Sequence, residues 1–166
     1  MKDASPQTIY LTDYTPPTYL VDQVDLTFRL SPNATRVISR IAFRPNPDAV
    51  SKRFFLHGEE LTPISSSIDG TPVTPREVEG GIEVDVPDAP FVWEAEVEIA
   101  PAANTALEGL YMSNGMYCTQ CEAEGFRHIT FYPDRPDVMA TFRVSIRSDM
   151  PVLLSNGNPV ENRDGM

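Results

Sequence analysis

The residues best suited to chemistry in this chain are Gln120, Glu122 and Glu124. They occupy alternate positions, which in an extended segment project to one side. Carboxylates beside an amide carbonyl are the acceptors a protonated amine selects, and a charge-assisted hydrogen bond of that kind contributes about 1.5–3 kcal/mol. The same three residues also fit a solvated acidic edge. They overlap a C-x-x-C motif, Cys118-Thr119-Gln120-Cys121. A structural zinc site takes four ligands, typically two such pairs or one pair with histidines. No second pair exists, and His57 and His128 lie far apart. A thioredoxin-like motif opens a helix in a βαβ unit, whereas the surroundings here read as strand and loop. The cysteines are therefore read as half-buried thiols that position their neighbours, with a small redox protein using Cys118 and Cys121 as an alternative. His57 receives no role, and His128 is read as hydrogen-bonded packing. Arg127 is expected to fork onto Asp134 or Asp137 as a structural brace. Neither a His-Glu-x-x-His pair, a glycine-rich phosphate loop nor a local Ser-His-Asp signature occurs. No residue of this chain is assigned a catalytic or metal-binding role.

The polar set lies in a stretch, residues 102–136, in which hardly anything alternates as a strand does. Loops this long inside a compact domain are uncommon and are either functional or disordered. Leu107, Leu110, Tyr111, Met112, Phe126, Ile129 and Phe131 make it too apolar to stay solvated. An ordered, irregular, functional segment is expected, carried by a scaffold of strands. Tyr19 to Leu30 alternates, with Val24, Leu26, Phe28 and Leu30 on one face. Thr35 to Arg44 turns Val37, Ile41 and Phe43 inward. Phe91 to Ile99 sets Phe91, Trp93, Ala95, Val97 and Ile99 against Glu94, Glu96 and Glu98. Short strands are expected at 53–57, 61–68, 77–86 and 152–154, with turns at Asp69-Gly70 and Gly80-Gly81. Val138 to Arg147 resumes alternation, with Ala140, Phe142, Val144 and Ile146 inward. Residues 1–17 read as an extended arm pinned by Tyr10, Leu11 and Tyr14. Sixteen prolines disfavour long helices. The fold class is all-β, a sandwich or open barrel.

A chain of 166 residues fits one domain with one core. Its net charge of −11 repels a phosphate backbone, which argues against nucleic acid as a partner. No apolar run approaches the roughly 18–20 residues of a membrane span, so no membrane partner is expected. The N-terminus lacks the apolar core of a signal peptide. Two cysteines make no disulfide framework, and a cytoplasmic location is expected. Val160 to Gly165 resembles the approach to a hairpin turn, so the chain is expected to be a fragment of something longer.

The run PAANTALEGLYMSNGMYCTQCEAEGFRHITFYPDRPDVMATF resembles the N-terminal domain of the bacterial aminopeptidase N family of zinc metallopeptidases. Asp13-Tyr14, Asp25-Leu26-Thr27-Phe28 and Leu153-Leu154-Ser155-Asn156-Gly157-Asn158 fit the same family in order, so the resemblance covers most of residues 1–166. It implies a saddle-like, mainly antiparallel β-sandwich domain packed on a thermolysin-like catalytic domain of the same polypeptide. That other domain would hold the zinc and the exopeptidase motif, both absent from this sequence. The fragment alone would then be inactive and hold no metal. Carried over residue by residue, the resemblance gives Glu122 a part in binding the free α-amine of a peptide substrate. Gln120 would line the pocket for the first side chain. Glu124 takes no role from it. The alternative is a free-standing β-sandwich module for a protein or sugar ligand.

Overall fold

The computed structural model describes Thr8 and residues 10–160. The expectations for the first residues of the arm, and most of the hairpin approach at 160–165, lie outside them. Three long strands form the scaffold: β1 (Tyr19–Arg29), β2 (Thr35–Pro45) and β8 (Phe91–Ile99). Between β2 and β8 lie the short β3 (Phe55–His57), β4 (Thr62–Ile68), β5 (Thr71–Pro72), β6 (Arg76–Val78) and β7 (Gly81–Glu83). After β8 come β9 (Gly109–Ser113), β10 (Met116–Gln120) and β11 (Thr141–Arg147). A six-stranded sheet runs β11-β1-β2-β8-β4-β5, a three-stranded sheet runs β3-β7-β6, and β9 and β10 form a two-stranded sheet. The fold is all-β and mainly antiparallel, as expected.

Alternation fixes the register. Val37 sits opposite Val97, Ile41 opposite Trp93 and Phe43 opposite Phe91, so both strands send their apolar sets to one face. Val24, Val37, Ile41, Trp93 and Val97 are fully buried there. Phe54, Leu56 and Ile82 close the core from the three-stranded sheet, and Leu110, Ile129, Phe131 and Tyr132 close it from the 102–136 segment. Phe54 packs edge-on against Tyr19, Phe43 and Phe91 at centroid distances of 4.9–5.2 Å. The opposite face of the large sheet is a charge ladder. Arg36 joins Glu96 (3.0 Å) and Glu98 (3.3 Å), and Arg40 joins Asp25 (3.7 Å) and Glu94 (3.6 Å). Cross-strand pairing of opposite charges suits a sheet with one wet face.

Four expectations change. Residues 109–120 are not irregular: they form the β9–β10 hairpin, turned at Asn114 (φ +48°) and Gly115 (φ +80°). The Asn-Gly pair was the legible signal, since a tight hairpin turn needs both central residues at positive φ. β11 pairs parallel to β1, from Gln23↔Thr141 to Arg29↔Arg147. It lies at the sheet edge, so Phe142 and Val144, expected inward, remain exposed. Residues 152–154 form no strand; none of the described strands pairs with them, and Val152, Leu153 and Leu154 face solvent. In the arm, Tyr10 and Leu11 are exposed rather than pinned. Tyr14 does hold, its hydroxyl donating to Asp137 Oδ2 at 3.0 Å, and Arg135 Nη2 donates to the Thr15 carbonyl at 2.8 Å.

Candidate functional site

β10 ends at Gln120, and the chain turns at once. The amide N–H groups of Glu124 and Gly125 donate to the Cys121 carbonyl at 3.3 and 2.9 Å, closing a turn over residues 121–125. The extended geometry expected for Gln120, Glu122 and Glu124 therefore does not extend past Gln120. The turn brings two of them together: Gln120 Nε2 donates to the Glu122 carbonyl at 3.1 Å, and both side chains are exposed. Glu124 diverges, its carboxylate lying 3.6 Å from Arg127 Nη2.

Two glycines let the turn seat this closely. A Cβ on Gly125 would lie 2.5 Å from the Gln120 carbonyl oxygen and 3.0 Å from Cys121 Cα. One on Gly109, which has φ +71°, would lie 2.6 Å from His128 Cβ. The backbone of β9, the turn and the following 3₁₀ turn (Phe126–His128) are thus in direct contact.

Beneath the turn sits Arg127, which is buried. Its Nε donates to Asp134 Oδ2 at 3.0 Å, its Nη2 to the Asp134 carbonyl at 3.2 Å, and its own amide to Oδ2 at 3.1 Å. Nη1 lies 3.5 Å from Glu59. Of the two partners expected for Arg127, Asp134 is the one used, while Asp137 pairs with Arg135 at 2.7 Å. Burial alone would lower the Arg127 pKa, but Asp134, Glu124 and Glu59 more than offset it and the net shift is upward. His128 stands among Glu108 (3.4 Å), Glu59 (3.7 Å) and Glu60 (3.8 Å), with Nδ1 buried and without a hydrogen-bond partner.

The segment is tied to both sheets. His57 and Tyr132 exchange backbone hydrogen bonds at 2.9 and 3.1 Å. The Asp134 amide donates to His57 Nδ1 at 3.1 Å, so His57 is neutral with its proton on Nε2. Burial first, and nearby Arg127 second, hold its pKa below the ordinary value. Thr130 and Ser39, both fully buried, share a hydrogen bond of 3.1 Å that fixes the segment to β2. His57 was assigned no role from sequence; it braces the segment, and nothing local signals this because its partner Asp134 is 77 residues away.

The cysteines are free thiols. Burial, and then Asp134, push the Cys121 thiol up, which disfavours the thiolate that exchange chemistry needs. Among the described residues no cluster of three or more His, Cys, Asp or Glu can hold a metal ion, and no helix is long and apolar enough to cross a membrane. The donor set of the described residues does not fit zinc. What the site offers is a rigid turn presenting a carboxylate and a primary amide, with its neighbouring acid, Glu124, drawn onto Arg127.

Comparison with known proteins gives the family of the chain. Aminopeptidase N of Caulobacter vibrioides is 45% identical over 166 aligned positions, covering 96% of this chain and 19% of the relative. Aminopeptidase N of Escherichia coli is 45% identical, covering 93% of this chain and 18% of the relative. This chain therefore spans about a fifth of the length of the curated relatives it matches. The crystal structure of Legionella pneumophila aminopeptidase A in complex with aspartic acid superposes with a TM-score of 0.83 at 32% identity, covering 91% of this chain and 19% of that one. Yeast LTA4 hydrolase shares the fold, with a TM-score of 0.70 at 21% identity over 89% of this chain and 25% of its own. These matches give no support to a free-standing protein- or sugar-binding module. With the model of the peptidase M1 N-terminal domain matching residues 22–165, the chain belongs to that family.

Proposed function

We propose that residues 1–166 form the amino-terminal domain of a longer zinc aminopeptidase, one that removes N-terminal amino acids from peptides. In this reading Glu122 helps bind the free α-ammonium of the substrate, and Gln120 lines the pocket for the first side chain. The observation that carries it is the Gln120–Glu122 turn: two exposed acceptors on a backbone locked by Gly109 and Gly125. Its identity to aminopeptidase N over nearly all of this chain, and a fifth of the relatives, supports a larger parent. The Legionella relative was crystallised with aspartic acid, which carries the α-amino group assigned here to Glu122.

Zinc, in this proposal, is held by residues outside this chain and supplies the peptidase chemistry there. This domain supplies positioning. A carboxylate fixed on a rigid turn sets where the ammonium sits and hence which peptide bond is presented, and correct placement affects rate as well as affinity. The partners are a peptide with a free N-terminus and a catalytic domain of the same polypeptide. A cytoplasmic location belongs to the same proposal and rests on the use of two cysteines as thiols.

The test is Glu122→Ala in the full-length polypeptide, assayed on a peptide with a free α-amine. Loss of one charge-assisted hydrogen bond, about 1.5–3 kcal/mol, corresponds to a fall in kcat/KM of about 10- to 150-fold. Unchanged kcat/KM would show that Glu122 does not bind the amine.

A further inference from the structure

Glu122 faces solvent, and the turn that carries it is also tied from beneath. Its far end is Glu124, whose carboxylate points back to Arg127 Nη2 at 3.6 Å. Arg127 is buried, with its side chain only 10% exposed. Nη2 also donates to the Asp134 carbonyl at 3.2 Å, and the other nitrogens are committed as well: Nε to Asp134 at 3.0 Å, Nη1 to Glu59 at 3.5 Å. Asp134 is fixed in turn, because its amide donates to His57 Nδ1 at 3.1 Å. The guanidinium therefore cannot swing to follow Glu124. The backbone of the turn is closed separately, by the Gln120–Glu122 hydrogen bond and by the Glu124 and Gly125 amides on the Cys121 carbonyl. The turn thus has a backbone closure and, through the Glu124 side chain, an added electrostatic tie to the buried Arg127.

We propose that Arg127 and Glu124 are positioning residues for the Glu122 carboxylate: Arg127, braced by Asp134 and Glu59, holds the far end of the 121–125 turn through Glu124. The proposal rests on the amine-binding reading of Glu122. Neither residue touches substrate in this scheme. A planar guanidinium with separate nitrogens can serve three carboxylates at once, which the single ammonium of lysine cannot do in the same geometry. Glu124, with its carboxylate largely exposed, is where the clamp can be released without opening the core.

The experiment is a double-mutant cycle in the full-length polypeptide, using a peptide substrate with a free α-amine. Glu124→Gln keeps the size of the side chain and removes its charge. It is expected to lower kcat/KM about three- to tenfold, with the thermal midpoint unchanged. In a Glu122→Ala background the same substitution is expected to cost nothing further, since the carboxylate it positions is gone. Arg127→Lys is expected to show the same dependence on Glu122 with a larger loss. Equal losses in both backgrounds, or no loss from Glu124→Gln beside a clear loss from Glu122→Ala, would overturn the clamp and leave the amine-binding role intact. If Glu122→Ala itself is silent, the amine-binding reading fails and the clamp has nothing to position.

Discussion

The β2–β8 pair and the 102–136 segment share one core but are held in opposite ways. In the pair, one rule repeats: nine consecutive partners from Thr35↔Ile99 to Phe43↔Phe91 alternate between a buried, mostly apolar face and an outer face that carries the Arg–Glu pairs. In the segment only the β9–β10 hairpin repeats a pairing, and the remainder has no such rule. That remainder is fixed by single contacts, each made once: His57 with Tyr132, Thr130 with Ser39, Arg127 with Asp134, and Gly125 against Gln120. The pair derives its stability from the amount of apolar surface it removes from water. The segment derives its shape from contacts that have no substitute. A defect in the first should lower stability in proportion to the volume lost; a defect in the second should move the site before it unfolds the domain.

Trp93→Ala is the severest test of the first half. Trp93 is fully buried on β8 and lies 6.4 Å, centroid to centroid, from Phe54. Its truncation should cost about 3–5 kcal/mol, read from denaturant unfolding of the domain. A loss well below that would mean the core collapses around the gap, and that the pair is not the rigid half. Gly125→Ala tests the second half with one added carbon. The new Cβ would meet backbone, which cannot rotate away, at 2.5 Å from the Gln120 oxygen. Overpacking of this kind costs about 1–3 kcal/mol. The comparison predicts a greater effect on site geometry than on stability, visible as amide chemical-shift changes confined to residues 109–128. Shifts spread across β2 and β8 would show that the two regions respond as one.

The same difference governs how much could be read in advance. Strands β1, β2 and β8, their inward residues and the turns at Asp69-Gly70 and Gly80 are legible because alternation is a local property, and burial on one face selects it. The Asn114-Gly115 hairpin was equally local. β11 shows where that stops: the strand forms, but neither its parallel pairing with β1 nor the exposure of Phe142 and Val144 is local information. At the site, Gln120 and Glu122 are legible as residue types at a spacing. The turn that separates Glu124 from them is not, because it depends on Gly125 fitting beneath Gln120. The braces His57–Asp134 and Ser39–Thr130 join residues 77 and 91 positions apart, a pairing that only the folded topology creates.

The smallest expected effect is the one that most directly separates the regions, and it is a pH dependence. His57 accepts a hydrogen bond at Nδ1 from the Asp134 amide, and burial with nearby Arg127 lowers its pKa from the ordinary value of about 6.5. A proton on Nδ1 would face an N–H donor. The unfolded chain therefore binds more protons at His57 than the folded one as pH falls below about 6.5, and stability declines through that window, by at most about 1.4 kcal/mol per pH unit for a single proton. The Asp137 carboxyl, held below its usual range chiefly by Arg135, acts in a lower window and does not overlap. Urea unfolding between pH 7.5 and 5.5 should show a decline that His57→Gln, which keeps an acceptor but cannot titrate, removes. Because His57 braces the segment and not β2–β8, hydrogen exchange at pH 5.5 should accelerate first in residues 126–134, while the amides of β2 and β8 stay protected. Equal acceleration in both would mean that the segment cannot open without the sheet, and that the contrast between a repeating scaffold and a singly fixed site describes their contacts but not their energetics.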